Sequence, residues 1–189
     1  MRRHALALAS LCITLAAAAP ALLAQPRIPT VDDLLSLESA GGSQLSPDGA
    51  WVAYTVTTTD WKADAFVGQL WVVNVASGER RQLTRHPKGI SGVQWSPDGT
   101  WISFISSRDE DKPQLFVMRL DGGEPLRLTK AESGVGSYQW SPRGTSIAFT
   151  SSDAESPAAK ARKERYAPFE VVRRDYTFAH LYTLNVAEA

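Results

Sequence analysis

Few stretches of this sequence carry side chains able to do chemistry, and none assembles a complete reaction centre. Gly89-Ile90-Ser91-Gly92-Val93 comes closest to the Gly-x-Ser-x-Gly elbow that presents a nucleophilic serine, but Val93 stands where the closing glycine belongs. A serine nucleophile also needs a general base, and beyond the N-terminus only His86, beside Pro87, and His180, opening an apolar run, have the right side chain. Cys12 lies within an N-terminal apolar stretch, so it is no candidate thiolate. Arg108-Asp109-Glu110-Asp111-Lys112 gathers three carboxylates, yet a calcium loop requires more oxygen ligands and a glycine in register. That segment reads as a charged hairpin loop. No catalytic residue, metal ligand or cofactor site is expected in the chain.

Composition narrows the class further. Among 189 residues, 20 Lys and Arg balance 20 Asp and Glu, which fits neither a disordered polyelectrolyte nor a nucleic-acid binder. Met1-Arg2-Arg3-His4, the Ala- and Leu-rich run Ala5 to Ala19, and the small residues around Ala19-Pro20-Ala21 and Leu22-Leu23-Ala24 have the form of a cleavable signal peptide over residues 1–24. The apolar run is short for a transmembrane anchor, and bulky Leu11 before Cys12 disfavours lipid attachment. Cleavage would leave a thiol-free protein in the periplasm or outside the cell, with no membrane attachment. Residues 25–42 form a leader before the first repeat.

The elements that would position any functional group are announced by internal repetition, which is sought first because it decides the fold. Gln44-Leu45-Ser46-Pro47-Asp48-Gly49 returns as Gln94-Trp95-Ser96-Pro97-Asp98-Gly99 and, with one change, as Gln139-Trp140-Ser141-Pro142-Arg143-Gly144. After each turn a large apolar residue alternates with a small one, in Val52-Ala53-Tyr54, Ile102-Ser103-Phe104 and Ile147-Ala148-Phe149. That period of two marks strands in stacked sheets. Leu70 to Val75, Leu115 to Leu120 and Leu181 to Val186 repeat as a further strand, and Arg81-Gln82-Leu83-Thr84 matches Leu126-Arg127-Leu128-Thr129 as a fourth. Proline presets the turn, aspartate bonds back to its own backbone and glycine takes the left-handed conformation, so the Ser-Pro-Asp-Gly motifs are structural turns and not sites.

Four antiparallel strands in a unit of about 45 residues are a β-propeller blade. A β-sandwich shares regular turn signals, but not threefold recurrence at matched offsets. The expected fold is therefore all-β, an incomplete β-propeller over residues 43–189. Two full blades are expected at about residues 43–84 and 91–129, and most of a third at 136–189 with an insertion at 152–179. A closed ring needs about four to eight blades, so the chain is expected to be the N-terminal piece of a longer protein.

The residues also resemble a known family. Asp32-Asp33-Leu34-Leu35 near the start, Leu45-Ser46-Pro47-Asp48-Gly49, Gln114-Leu115-Phe116-Val117, Gly122-Gly123-Glu124 before Leu128-Thr129, and Phe169 to Tyr176 before His180-Leu181-Tyr182 carry the likeness, which extends over residues 30–186. They resemble the propeller of exported serine peptidases of the prolyl oligopeptidase family, in its acylaminoacyl-peptidase and dipeptidyl-peptidase branch. The resemblance implies a propeller that caps a C-terminal α/β-hydrolase domain and admits short peptides. The nucleophile, base and oxyanion hole would lie in that domain. A binding propeller of the periplasmic TolB kind, acting as a protein-interaction platform, is the alternative. Those proteins place an α/β domain before the first blade, where this sequence has only residues 25–42.

The insertion is the place to look for further function, since long loops on a rigid scaffold are more often functional than decorative. Ser156 to Tyr166 is rich in alanine and charge, with a helix expected after Pro157, and Phe169 to Tyr176 reads as extended. In the dipeptidyl-peptidase branch, acidic propeller residues hold the substrate's free amino terminus. The resemblance makes Glu164, Glu170 and Asp175 the candidates for that charge-assisted contact. The competing reading is a solvated hairpin with local arginine pairs.

Overall fold

The computed structural model describes residues 27–166 and 177–186. The signal peptide read at residues 1–24 lies outside the described residues. The leader contains a short helix, α1 (Val31–Leu35). Its start is a reciprocal cap: Asp33 N donates to Thr30 Oγ1 at 3.2 Å and Thr30 N donates back to Asp33 Oδ2 at 2.8 Å. Those bonds, with Arg27 donating to Asp33, hold the Asp33 carboxyl below the usual carboxylate range.

Eleven described strands follow, in three antiparallel meanders. β1 (Ser39–Leu45), β2 (Trp51–Asp60), β3 (Ala65–Asn74) and β4 (Arg80–Gln82) make the first sheet, in that order. β5 (Ser91–Trp95), β6 (Trp101–Ser106), β7 (Gln114–Arg119) and β8 (Gly122–Arg127) make the second. β9 (Tyr138–Trp140), β10 (Ser146–Ser152) and β11 (Ala179–Asn185) make the third. The sheets are propeller-like blades of four, four and three strands, as the repeats require. The start of the first blade differs from the sequence reading. β1 opens at Ser39, inside the leader, because a bulge between Gly41 and Gln44, with Gly42 at φ +61°, lets a glycine-rich stretch that reads as loop stay in the ladder.

The turns work as their residues suggest. Ser46 Oγ donates to Asp48 Oδ1 at 2.5 Å and accepts from Trp51 N at 2.9 Å, while Ala50 N donates to Asp48 Oδ1 at 3.0 Å. Ser96, Asp98, Thr100 and Trp101 repeat that arrangement at 2.5, 3.1 and 2.9 Å. Hydrogen bonds led by the serine hydroxyls lower both aspartate pKa values. In the third blade Ser141 Oγ still accepts from Ser146 N, at 3.1 Å, but Arg143 replaces the aspartate.

Side-chain parity sorts the core. On β7, Phe116 and Met118 enter a cluster with Leu70, Val72, Ile102 and Phe104 between the first and second blades. Leu115 and Val117 enter another with Tyr138, Trp140 and Ile147 between the second and third. The second blade is thus buried on both faces, which is why β6 and β7 are nearly continuous apolar runs. Polar bonds lock the same seams. Trp95 Nε1 donates to the Gln44 carbonyl at 3.0 Å, and Trp140 Nε1 donates to Ser103 Oγ at 2.8 Å. The Tyr138 hydroxyl donates to the Gly92 carbonyl at 2.5 Å and lies 2.9 Å from Ser103 Oγ. Burial pushes the Tyr138 pKa far up, so this phenol stays a hydrogen-bond donor at any physiological pH.

Candidate functional site

In the first two meanders the first-to-second and third-to-fourth strand turns lie on one rim, and the second-to-third connections lie on the other with the links between blades. The insertion of the third blade leaves β10 and returns to β11 on that second rim. It carries α2 (Pro157–Tyr166), the expected helix. Ser156 caps it, with Ala159 N donating to Ser156 Oγ at 3.2 Å and Lys160 N to Ser156 O at 3.0 Å. Pro157 takes the first helical position, where its missing N–H costs nothing.

The neck of the insertion is pinned. Asp153 N donates to Phe178 O at 2.9 Å, Phe178 N donates to Asp153 Oδ2 at 3.2 Å, and His180 Nε2 lies 2.6 Å from Asp153 Oδ1. These contacts continue the β10–β11 ladder one step past its last pair, Ser152 and Ala179. The Phe178 N–H, then the His180 ring, lowers the Asp153 pKa. His180 also meets Tyr182 edge-on at 6.5 Å, and Tyr182 stacks on Phe149 at 5.4 Å. Ser133 Oγ, from the link between the second and third blades, donates to the Asp153 carbonyl at 2.8 Å. The group resembles a triad in composition only: the serine meets a backbone oxygen, not the imidazole.

Of the candidate acids, Glu164 is exposed on α2, one residue before Arg165. Glu170 and Asp175 lie outside the described residues. The near-elbow at Gly89 to Val93 is an inter-blade link running into β5, with Ile90 N bonded to Gly68 O at 2.8 Å. His86 Nδ1 accepts from Lys88 N at 3.2 Å, a local turn contact. The acidic hairpin loop turns two of its charges to an arginine and a lysine: Arg127 reaches Glu110 at 2.7 Å, and Lys88 lies 3.9 Å from Asp111. Among the described residues no group of three or more His, Cys, Asp or Glu is placed to hold a metal ion. No described helix is long and apolar enough to cross a membrane.

Two open grooves border the first blade. One, of about 460 Å³, runs between Trp61, Gln69, Arg85 and His86. The other, of about 340 Å³, lies between Arg81 and Arg119. Both arginines of the second groove are structural. Arg81 lies over Trp51 at 5.6 Å and donates to the Leu120 carbonyl at 2.8 Å, and Arg119 lies over Trp101 at 4.7 Å.

These repeated blades match known proteins. A family model described as the TolB beta propeller domain, PD40, covers residues 36–169. The chain belongs to that family. This PD40 propeller is 32% identical over 85 residues to the "Uncharacterized peptidase YuxL" of Bacillus subtilis strain 168, a span that is 45% of this chain and 13% of that protein. The acylaminoacyl peptidase of Pyrococcus horikoshii, uncomplexed, superposes with a TM-score of 0.60 at 14% identity, over 80% of this chain and 23% of its own. The putative TolB of Agrobacterium tumefaciens gives 0.53 at 25% identity, over 79% of this chain and 46% of its own. The chain therefore spans about an eighth of the curated relative and less than half of either solved chain. The solved peptidase speaks to the fold of the PD40 propeller.

The sequence reading missed the neck clasp and a second device. Gln69 and Gln114 are buried or half-buried at the same place in β3 and β7. Thr84 Oγ1 donates to Gln69 Oε1 at 2.9 Å and accepts from Leu70 N at 2.8 Å; Thr129 does the same with Gln114 and Leu115 at 2.8 and 2.9 Å. Aligning Gln69-Leu70-Trp71, Gln114-Leu115-Phe116 and His180-Leu181-Tyr182 puts His180 in the glutamine position. That alignment was the available signal for both.

Proposed function

We propose that this chain is the propeller portion of an exported serine peptidase that hydrolyses short peptides. The observation that carries the reading is the 32% identity over 85 residues to a curated protein named as a peptidase. The rim insertion supports it, since it is placed where the second-to-third strand connections and inter-blade links gather. In this reading a C-terminal α/β-hydrolase domain supplies the serine, histidine and aspartate, and the propeller restricts access to them. Residues 1–24 direct export and are removed, which leaves the protein periplasmic or secreted. We assign Glu164, Glu170 and Asp175 to the amino terminus of the bound peptide.

The test is to read the open reading frame past residue 189. A Gly-x-Ser-x-Gly segment roughly 250 to 500 residues on, followed by an aspartate and a histidine in triad order, is expected from blade and domain sizes. A frame without it sinks the reading. A platform for protein interaction, of the TolB kind, is the second reading. The 25% identity to the Agrobacterium tumefaciens TolB favours it, and a full-length chain that ends with its last blade and co-purifies with an envelope partner would support it.

A further inference from the structure

We propose that the seam between the first and second blades carries a binding site for a tetrahedral oxyanion of the phosphate class, built around Arg81 and Arg119. The site belongs to the propeller itself and stands independently of the peptidase reading. The groove of about 340 Å³ straddles the seam: Arg81 comes from β4 of the first blade, and Thr100, Arg119, Leu120 and Asp121 come from the second.

Comparison of the blades shows that neither arginine is a property of the repeat. Arg119 pairs with Trp101 across the β6–β7 ladder, and the equivalent pairs are Trp51 with Asn74 and Ser146 with Asn185. Arg81 pairs with Val72 as Leu126 pairs with Val117. The fold therefore accepts asparagine in the one place and leucine in the other. Asn74 has a turn to hold, since its Oδ1 accepts from Ala76 N at 3.1 Å and from Ser77 N at 2.9 Å. Arg119 has no acceptor to offer, and the second blade turns through Gly122 and Gly123, at φ +98° and +102°. The two departures from the repeat lie in different blades and meet at one groove.

The contacts that make both arginines structural leave most of their donors unused. A guanidinium carries five N–H donors. Arg81 directs one of them, from Nη2, to the Leu120 carbonyl at 2.8 Å, while its Nε is buried and meets no acceptor among the described residues. Arg119 touches Trp101 through the ring face, at 4.7 Å, and donates to no described group. Neither forms an ion pair among the described residues. The protein itself does not complete the hydrogen bonding of these two charges, and unmet charged donors at a half-buried seam are costly.

Net charge does not select the ligand; donor geometry does. Asp121 lines the same groove outside ion-pair distance of both arginines, and Asp98, two residues before Thr100, stays ionised in its turn under the Ser96 hydroxyl. These carboxylates repel anions that merely drift near, so binding has to come from short, directed hydrogen bonds. Two tryptophan rings steady the donors, Trp51 under Arg81 at 5.6 Å and Trp101 under Arg119. Planar forks set on different strands engage more oxygens of a tetrahedral anion than the two coplanar oxygens of a carboxylate provide.

Equilibrium dialysis of the full-length natural protein against labelled inorganic phosphate, in about 100 mM NaCl, measures the site. Binding of one phosphate per chain at a Kd of about 0.1 to 1 mM is expected, and acetate should displace it only at roughly tenfold higher concentration. Glycerol 2-phosphate as competitor separates the sources: displacement at least as strong as by phosphate marks an esterified ligand, weaker displacement marks the free anion, and either supports the site. Arg119→Asn, the residue of the other two blades, should fold and weaken phosphate by about tenfold or more. Arg119→Lys keeps the charge without the fork and should weaken it about threefold, whereas Asp121→Asn removes a repelling carboxylate and should tighten it about threefold. A natural protein with no phosphate bound at about 10 mM, or an Arg119→Asn protein that binds as well as the natural one, overturns the proposal. If Arg119→Asn fails to fold, unchanged affinity in both Arg119→Lys and Asp121→Asn overturns it instead.

Discussion

The Thr129 hydroxyl donates to Gln114 Oε1 at 2.8 Å with both residues buried, and this contact ties the end of the second blade back to its third strand. Gln114 completes its bonding by accepting from Ala131 N at 2.9 Å and donating to the Ala131 carbonyl at 2.8 Å. Gln114→Leu strands all three partners, with the Thr129 hydroxyl fully buried, and is expected to cost about 2 to 4 kcal/mol in urea unfolding. Gln69→Leu, at the half-buried equivalent in the first blade, is expected to cost less, because water can replace the lost amide. Equal losses at the two positions would contradict this account of the clasp.

The third turn invites repair. Ser141 Oγ bonds Ser146 N as its counterparts do, but Arg143 cannot accept the serine proton as Asp48 and Asp98 do. Arg143→Asp is expected to stabilise the protein by about 0.5 to 1.5 kcal/mol, seen as a higher urea midpoint at unchanged slope.

Much of this fold was legible because the repeats state it several times over. Parity in Ile102-Ser103-Phe104 and turn chemistry in Ser96-Pro97-Asp98-Gly99 each have one physical solution, and the three copies agree on it. Polar contacts between distant residues were marked only by aligning the blades with one another. Gln114 in a strand reads as well for an exposed position as for a buried clasp, and only the Thr129 hydroxyl, 15 residues on, decides it. Asp153 and His180 are 27 residues apart, so no local pattern joins them. Of the candidate acids, Glu164 was placed on its helix by the proline and serine before it, while no periodicity in the sequence marked what a carboxylate there would face.

Glycines at two positions separate strain from collision. A Cβ on Gly134, at φ +81°, would meet Pro113 Cδ at 2.6 Å, whereas Gly78, at φ +72°, has open space. Gly78→Ala is expected to cost about 1 to 2 kcal/mol, the price of a left-handed alanine. Gly134→Ala should cost clearly more, about 3 kcal/mol or above, because the link between the second and third blades must also shift. Thermal melts of the two variants check the order.

The insertion neck responds to acid. Asp153 has its folded pKa below the ordinary 3.8, through the Phe178 N–H first and His180 second. A lowered folded value means that the contribution is present above 3.8 and is lost as pH falls through the folded value. Protection of the Phe178 amide against exchange is therefore expected to hold from pH 7 to 4 and to drop below that range. Asp153→Asn should flatten the profile, since asparagine does not titrate there.

The central claim is that these blades belong to a serine peptidase, and one measurement addresses it directly. The full-length natural protein is treated with a fluorophosphonate, which reacts with an activated serine, and the modified residue is located by mass spectrometry. The account predicts a single labelled serine within a Gly-x-Ser-x-Gly segment beyond residue 189, with peptide hydrolysis lost in proportion to labelling. A full-length protein that takes no label, or takes it on a serine of the blades, would contradict it.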